Sequence, residues 1–438
     1  MRTHIPGNSG IADYRRANGY LLLRREEPLL SLFRRGISEL QLYSSETQDW
    51  FRCQGLLNRL LSNIVNGDKS FSVLSPADWF YRFVWAEPRF WRETVRFDVL
   101  GPYTKRFHKY FCKQSTTAHS LYAALKEAEL FLLEPPQEIA TETRHYRIDS
   151  LLPFTSHPIV KKIRRMLKSL DTAISVYVHG SMATGDYTDL SDVDDLVVIH
   201  CSSWASYEQF QKVTRLLEKI ARLFQCVDPL QHHGHWVFSD FDMTCLDQGT
   251  IPLVVLNKAI VAVGRPALEV KVRTSTWGFA RVMWAIVQDV RRSVLAMIRG
   301  HLNIYGLKNL ISSISLLPAL SFQMRGSMLD KKTAIARSDE ILSQEACSAI
   351  RWTTRVRETA ISGQRWVQTM RYLNHVLPFR RGTLEKIARI WLPSLRPDQI
   401  PYLSGHLIAS IFGLTDECTL YLSEILDKQD SNGKISGC

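Results

Sequence analysis

The spacing of apolar residues changes character twice along this 438-residue chain, and the two changes divide it. Up to about residue 150 the spacing is mainly helical. Within that region Ser75-Pro76 has the N-cap serine and first-turn proline of a helix start. A crowd of rings follows (Trp79, Phe80, Tyr81, Phe83, Trp85, Phe90, Trp91, Phe107, Tyr110, Phe111), interleaved with arginines and lysines from Arg82 to Lys109. Large aromatics dominate cores, so the expected state is a helical core with a solvated basic face. Stacking on single-stranded nucleic acid is the competing use of the same residues. Glu134-Pro135-Pro136 reads as a break.

From residue 151 to 270 strands and helices alternate. Ile159, Ile163, Met166 or Leu167, and Leu170 form one apolar stripe, with Lys161, Lys162, Arg164, Arg165 and Lys168 facing away. Two β-branched runs, Ile174 to Val178 and Val193 to Ile199, predict strands joined by a turn. Tyr207, Phe210, Val213, Leu216 or Leu217, and Ile220 predict a crossover helix. Leu223–Asp228 and His235–Phe238 then read as short β-like runs around Pro229-Leu-Gln-His-His-Gly.

Beyond residue 271 the pattern is helical to about 430. A long helix is marked by Phe279, Val282, Ile286, Val290, Val294 and Met297, with Gly300 just past its end. Further helices are expected over 306–317, 340–359, 383–391 and 415–426, punctuated by Pro318, Pro378 and Pro393. Residues 431–438 are expected to be a frayed polar tail. The predicted class is α+β, with a central mixed-sheet domain between helical regions.

The candidate chemistry lies between the two β-branched runs, in Val176–His200. On a strand, residues i and i+2 share a face about 6.6 Å apart. Asp192 and Asp194 are therefore placed to hold one or two Mg²⁺ (or Mn²⁺) ions, which take hard oxygen ligands and share them with phosphates. Gly180 permits a sharp turn and close approach to a ligand, and a helix beginning at Ser181 would offer N–H groups to phosphate. Ser191 suits a turn. Asp195 breaks the pattern: strand parity points it toward a side that should be packed, so it is expected either to be a partly exposed strand end or to find a basic partner such as Lys161.

Gly180-Ser181-(x)3-Gly185-(x)5-Ser191-Asp192-Val193-Asp194 resembles the signature of the DNA polymerase β-like nucleotidyltransferase superfamily, over roughly residues 155–265. Its spacing is most similar to the small bacterial branch, the aminoglycoside and minimal antitoxin-type nucleotidyltransferases. The resemblance implies a nucleotidyltransferase fold and transfer of a nucleoside monophosphate from an NTP, with ATP expected, to a hydroxyl acceptor. It makes Asp192 and Asp194 metal ligands and Gly180 and Ser181 phosphate contacts. It also implies a third carboxylate on a later strand, as ligand or base, for which Asp228 is the best match and Asp240 and Asp242 compete. A non-catalytic nucleotide-binding or toxin-antitoxin-type module on the same fold is the alternative.

Composition adds partners and exclusions. The net charge of +12 favours a polyanionic partner, and the C-terminal arginines, Arg351 to Arg389, suit RNA, a protein partner or plain solvation equally. His232, His233 and His235 could bind a metal but have no matching ligand set; a hairpin turn accounts for them, with contact with substrate beside Asp228 ranked ahead of metal binding. His179 is expected to fix its loop by a hydrogen bond. The eight cysteines form no Cys-x-x-Cys pair. Ile251–Val263, interrupted by Asn257 and Lys258, is too short to span a membrane. The start lacks an apolar leader, so the expected location is cytoplasmic.

Overall fold

The computed structural model describes residues 43–67, 118–151, 157–188, 191–231, 233–249, 251–273, 276–358, 365–376, 383–384, 387 and 390–431. The Ser75-Pro76 helix start, the aromatic and basic stretch after it, His232 and residues 432–438 lie outside the described residues.

Among the described residues, helices α1 (Ser45–Val65) and α2 (Ala118–Leu132) precede strand β1 (Glu142–Arg147). The central elements then run α3 (Pro158–Leu167), β2 (Ile174–His179), a single turn α4 (Ser181–Thr184), β3 (Asp194–Ile199), α5 (Tyr207–Val227), β4 (Trp236–Ser239), a second single turn α6 (Asp240–Met243), β5 (Leu246–Asp247), β6 (Ile260–Val263) and β7 (Ala267–Arg273). Helices α7 (Thr276–Ile298), α8 (Ile304–Met324), α9 (Lys331–Ala336), α10 (Gln344–Glu358), α11 (Arg365–Val376) and α12 (Gly405–Ser431) complete the chain. This is the expected α+β arrangement: a mixed sheet ordered β4-β3-β2-β6, a second sheet ordered β1-β7-β5, and helical regions on either side.

The central sheet is buried on both faces. Val176, Val178, Val197, Ile199 and Val237 pack toward α1, α2, α3 and α5. Tyr177, Leu196, Val198 and Phe238 pack against Leu268, Val270 and Val272 of the second sheet. α5 carries the chain from β3 to its parallel neighbour β4, the crossover a parallel pair requires. α1 is tied to β4 by side-chain amides: Asn58 Nδ2 donates to the Val237 carbonyl (2.9 Å), and Asn66 Oδ1 accepts the His235 N–H (2.7 Å). A third core joins α7, α8, α10, α11 and α12.

Three expectations are corrected. Leu223–Asp228 is not a strand but the last turns of α5; Phe224 continues the stripe of Phe210, Val213, Leu217 and Ile220 and is fully buried with them. Pro318 does not end a helix, because α8 continues through it to Met324. Nearly every residue around it is buried, so packing offsets the hydrogen bond that proline removes. Asp195 does not reach Lys161. It lies opposite Val178 on the packed face of β3, and its Oδ2 and Oδ1 are 2.7 and 2.9 Å from Nδ1 of His235.

That pair joins β3 to the start of β4 inside the core, with both side chains 0 % exposed. His235 Nε2 lies 2.9 Å from the Leu217 carbonyl, which only accepts, so Nε2 carries a proton and α5 is tied in as well. Removing one member of such a pair strands the other without water. Asp195→Ala should therefore lose about 3–5 kcal/mol in urea unfolding. A loss below about 1 kcal/mol, the scale of an exposed pair, would contradict this account.

Candidate active site

The antiparallel register of β2 and β3 builds the centre of the site. His179, the last residue of β2, lies directly opposite Asp194, the first of β3. Gly180 follows with φ +68°, and a Cβ there would stand 2.9 Å from Asp194 Oδ2, so a side chain is excluded by both conformation and space. α4 is one turn only. The Ala183 and Thr184 amides already donate to the Gly180 carbonyl, which leaves the start of that turn to face a ligand. Gly185, at φ +88°, ends the turn, and Ser191 Oγ accepts the Thr188 N–H at 2.8 Å, making the turn expected of it.

Asp192 sits just before β3, and Val193 between the two aspartates is fully buried. Their spacing is held by a buried glutamine that the sequence did not single out. Gln231 Oε1 accepts the Val193 N–H (2.9 Å), while its Nε2 donates to the Val193 carbonyl (3.1 Å). One side-chain amide thus stands in for a neighbouring strand at the Asp-Val-Asp turn.

Basic groups converge on these carboxylates. Lys308, on α8, donates to Asp192 Oδ1 at 2.6 Å and also to Asp228 Oδ2. Burial opposes its charge, but Asp192 and Asp228 together hold its pKa above the ordinary lysine value. Asp228 caps the C-terminus of α5, where its Oδ1 accepts the Leu230 N–H at 3.0 Å. Burial raises its carboxyl to about 6 despite Lys308. On the other side His233 Nε2 lies 3.0 Å from Asp194 Oδ1. Burial works against the imidazolium, yet the bond to Asp194 and the charges of Asp194 and Asp192 lift His233 to about 9. Asp194 is opposed by burial too, and His233 and His179 keep it below the usual carboxylate range.

His179 is buried, its pKa is depressed by that burial, and Nε2 has no hydrogen-bond partner; no bond from that atom fixes the loop as expected. Half-buried Lys331 on α9 feels the charges of Asp192 and Asp194, its pKa lowered to about 8 by burial and by the neighbouring Arg357 and Lys308. Arg357, on α10, is depressed chiefly by burial and feels the same two aspartates. Of the basic residues here, sequence reasoning named only His179, His233 and Arg357. Lys308 gave one usable signal: it is the lone charged residue of α8, set among Leu307, Leu310, Ile311 and Ile314.

The competing carboxylates lie elsewhere. Asp240 holds His200 Nδ1 (2.8 Å) and the Cys201 N–H (2.6 Å) at the far end of β3, roughly 20 Å along the strand from Asp194. Asp242 Oδ2 accepts from the Ser239 N–H and hydroxyl, capping the start of α6. Ser175 Oγ, 2.9 Å from His200 Nε2, completes a Ser-His-Asp chain with Asp240. Ser175 is 0 % exposed, so this is a structural chain with no access for a substrate carbonyl.

Residues 160–228 match the family model described as the nucleotidyltransferase domain. That match is consistent with the polymerase β-like nucleotidyltransferase superfamily, and it falls on the central part of the α+β fold described above. Comparison with curated proteins and with solved structures finds no match. No described helix is long and apolar enough to cross a membrane.

Members of this family use an NTP and divalent metal ions. Among the described residues, no three His, Cys, Asp or Glu side chains form a ready-made metal cage. The pair Asp192 and Asp194 nevertheless fits Mg²⁺ or Mn²⁺, because such ions are often held by one or two carboxylates and completed by substrate phosphates. The absence of a side chain at Gly180 leaves Asp194 Oδ2 uncovered on that side, which supports the fit.

The His233–Asp194 pair sets a pH dependence. A histidine whose folded pKa is raised to about 9 contributes stability that is complete below its ordinary value of 6.5 and is lost as pH rises through 9. In an NMR titration His233 should stay protonated to about pH 9 in the wild type and titrate at distinctly lower pH in Asp194→Asn, where only Asp192 and the Gly234 carbonyl still oppose burial. Titration near 6.5 in both proteins would contradict the pairing.

Proposed function

We propose that the chain is a metal-dependent nucleotidyltransferase that moves a nucleoside monophosphate from an NTP, ATP being the first to test, to a hydroxyl acceptor and releases pyrophosphate. The observation that carries this reading is the placement of Asp192 and Asp194 at the mouth of β3, against the Gly180-Ser181 turn and under the basic side chains of α8, α9 and α10. In this reading Asp192 and Asp194 hold the divalent ion, which when bound supplies Lewis-acid stabilisation at the α-phosphate. The Gly180-Ser181 turn takes the β- and γ-phosphates, and Lys331 and Arg357 neutralise their charge.

Asp228 was expected to be a third ligand or the base. Its position beside Lys308 supports a different part, that of holding the Lys308 ammonium against Asp192. Positioning and charge neutralisation of this kind account for most of the catalysis of phosphoryl and nucleotidyl transfer. The acceptor, a small hydroxyl compound, a protein side chain or an RNA end, would enter between the central domain and the C-terminal helices. The engagement of both aspartates by Lys308 and His233 is also what a non-catalytic nucleotide-binding module would need, so the test must read transfer and not binding.

Incubation with α-labelled NTPs, Mg²⁺ and cell lysate should label an acceptor. Asp192→Ala and Asp194→Ala, checked for folding, should each lower labelling on the order of 10²–10³-fold, the scale for removing one group that stabilises a transition state. Labelling unchanged in both variants, or nucleotide binding without label from any of the four NTPs, would overturn the enzyme reading.

A further inference from the structure

We propose that Lys308 permanently occupies the place of a second divalent ion, so that this site takes one divalent ion with its nucleotide and uses a lysine ammonium as the other cation. The inference rests on the reading of the site as a nucleotidyltransferase centre and concerns how its charge is completed. The carboxylates at issue are Asp192, Asp194 and Asp228. Two of them, Asp192 and Asp228, are bridged by a single ammonium group.

The ammonium is well fixed. Its side chain is 3 % exposed, as is that of Asp228, and Asp192 is 13 % exposed. The lysine stem rises from the second turn of α8, whose start is pinned by Asn303 Oδ1 accepting the Gly306 N–H at 2.8 Å, and whose neighbours Leu307, Leu310 and Ile311 are buried. A metal ion entering between Asp192 and Asp228 would have to expel a charged group that has no solvent to move into. Asp228 is also fixed at its other oxygen by the Leu230 N–H, so it cannot turn both oxygens toward an ion.

Asp194 differs. Its side chain is 30 % exposed, and its partner His233 is 23 % exposed, so one carboxylate of the set remains within reach of solvent. The surrounding charge favours the same division. Lys331 and Arg357 already lie within the electrostatic reach of Asp192 and Asp194, and a second dication would be repelled by them. A single ion arriving with a polyanionic triphosphate brings the negative charge that these side chains lack.

Native mass spectrometry with Mn²⁺ and each of the four α,β-methylene nucleoside triphosphates counts metal per bound nucleotide without requiring turnover. The wild type and Lys308→Arg should carry one Mn²⁺ per nucleotide. Lys308→Met, which removes the ammonium between Asp192 and Asp228, should carry two, and Mn²⁺ should raise its melting temperature by more than that of the wild type. Two Mn²⁺ per nucleotide in the wild type, or one in folded Lys308→Met, overturns the inference while leaving nucleotidyl transfer standing. If Lys308→Met does not fold, the wild-type count decides alone. A wild type that takes up neither Mn²⁺ nor any of the four analogues overturns the inference and the nucleotidyltransferase reading together.

Discussion

Everything at the site depends on the alternation of side chains along β3. Asp194 and Asp195 are adjacent in sequence and must point to opposite faces of a strand. The register with β2 sets Asp194 across from His179 and beside Gly180, at the opening of the sheet. The same register drives Asp195 into the core, where an acidic group survives only because His235 is aimed at it from the start of β4. A shift of one residue would bury the carboxylate that faces the turn and expose the one that holds the strands together. The Gln231 amide bonded to both backbone groups of Val193 removes that freedom.

The second organising fact is that the acidic residues and their counter-charges come from different parts of the chain. Asp192, Asp194 and Asp228 belong to the central domain, whereas Lys308, Lys331 and Arg357 come from α8, α9 and α10. The C-terminal helices are therefore part of the site's electrostatics. They also grip the end of α5 that presents Asp228: Asn374 on α11 donates to the Gln225 carbonyl at 2.8 Å. Moving the helical region relative to the sheet would break the Lys308 bridge and change the charge of the site at once.

What could be read from the sequence followed the range of each interaction. The strands on either side of the Gly-Ser turn, and the helices α3, α5 and α7, were legible because their periodicity is local. The Gly180-Ser181 and Asp192-Val193-Asp194 groups were legible as one unit because only fourteen positions separate their outer members. Leu223–Asp228 was misread because a short β-branched and aromatic run was judged alone; extending the α5 stripe by one turn reaches Phe224 in phase. The Asp195–His235 pair, forty residues apart, and the Lys308–Asp192 pair, more than a hundred apart, left only half-signals. An acid stood where an apolar residue belonged, and a lysine stood on an apolar helix. Each marked a partner without identifying it.

The central claim is that the reacting atom at Asp192 and Asp194 is the α-phosphorus of a nucleoside triphosphate. The direct measurement follows two labels in parallel, one on the α- and one on the γ-phosphorus, through a reaction with the same lysate acceptor. The account predicts that the α-label becomes attached to the acceptor and the γ-label leaves in pyrophosphate. Attachment of the γ-label, with the α-label left in the diphosphate, would contradict it.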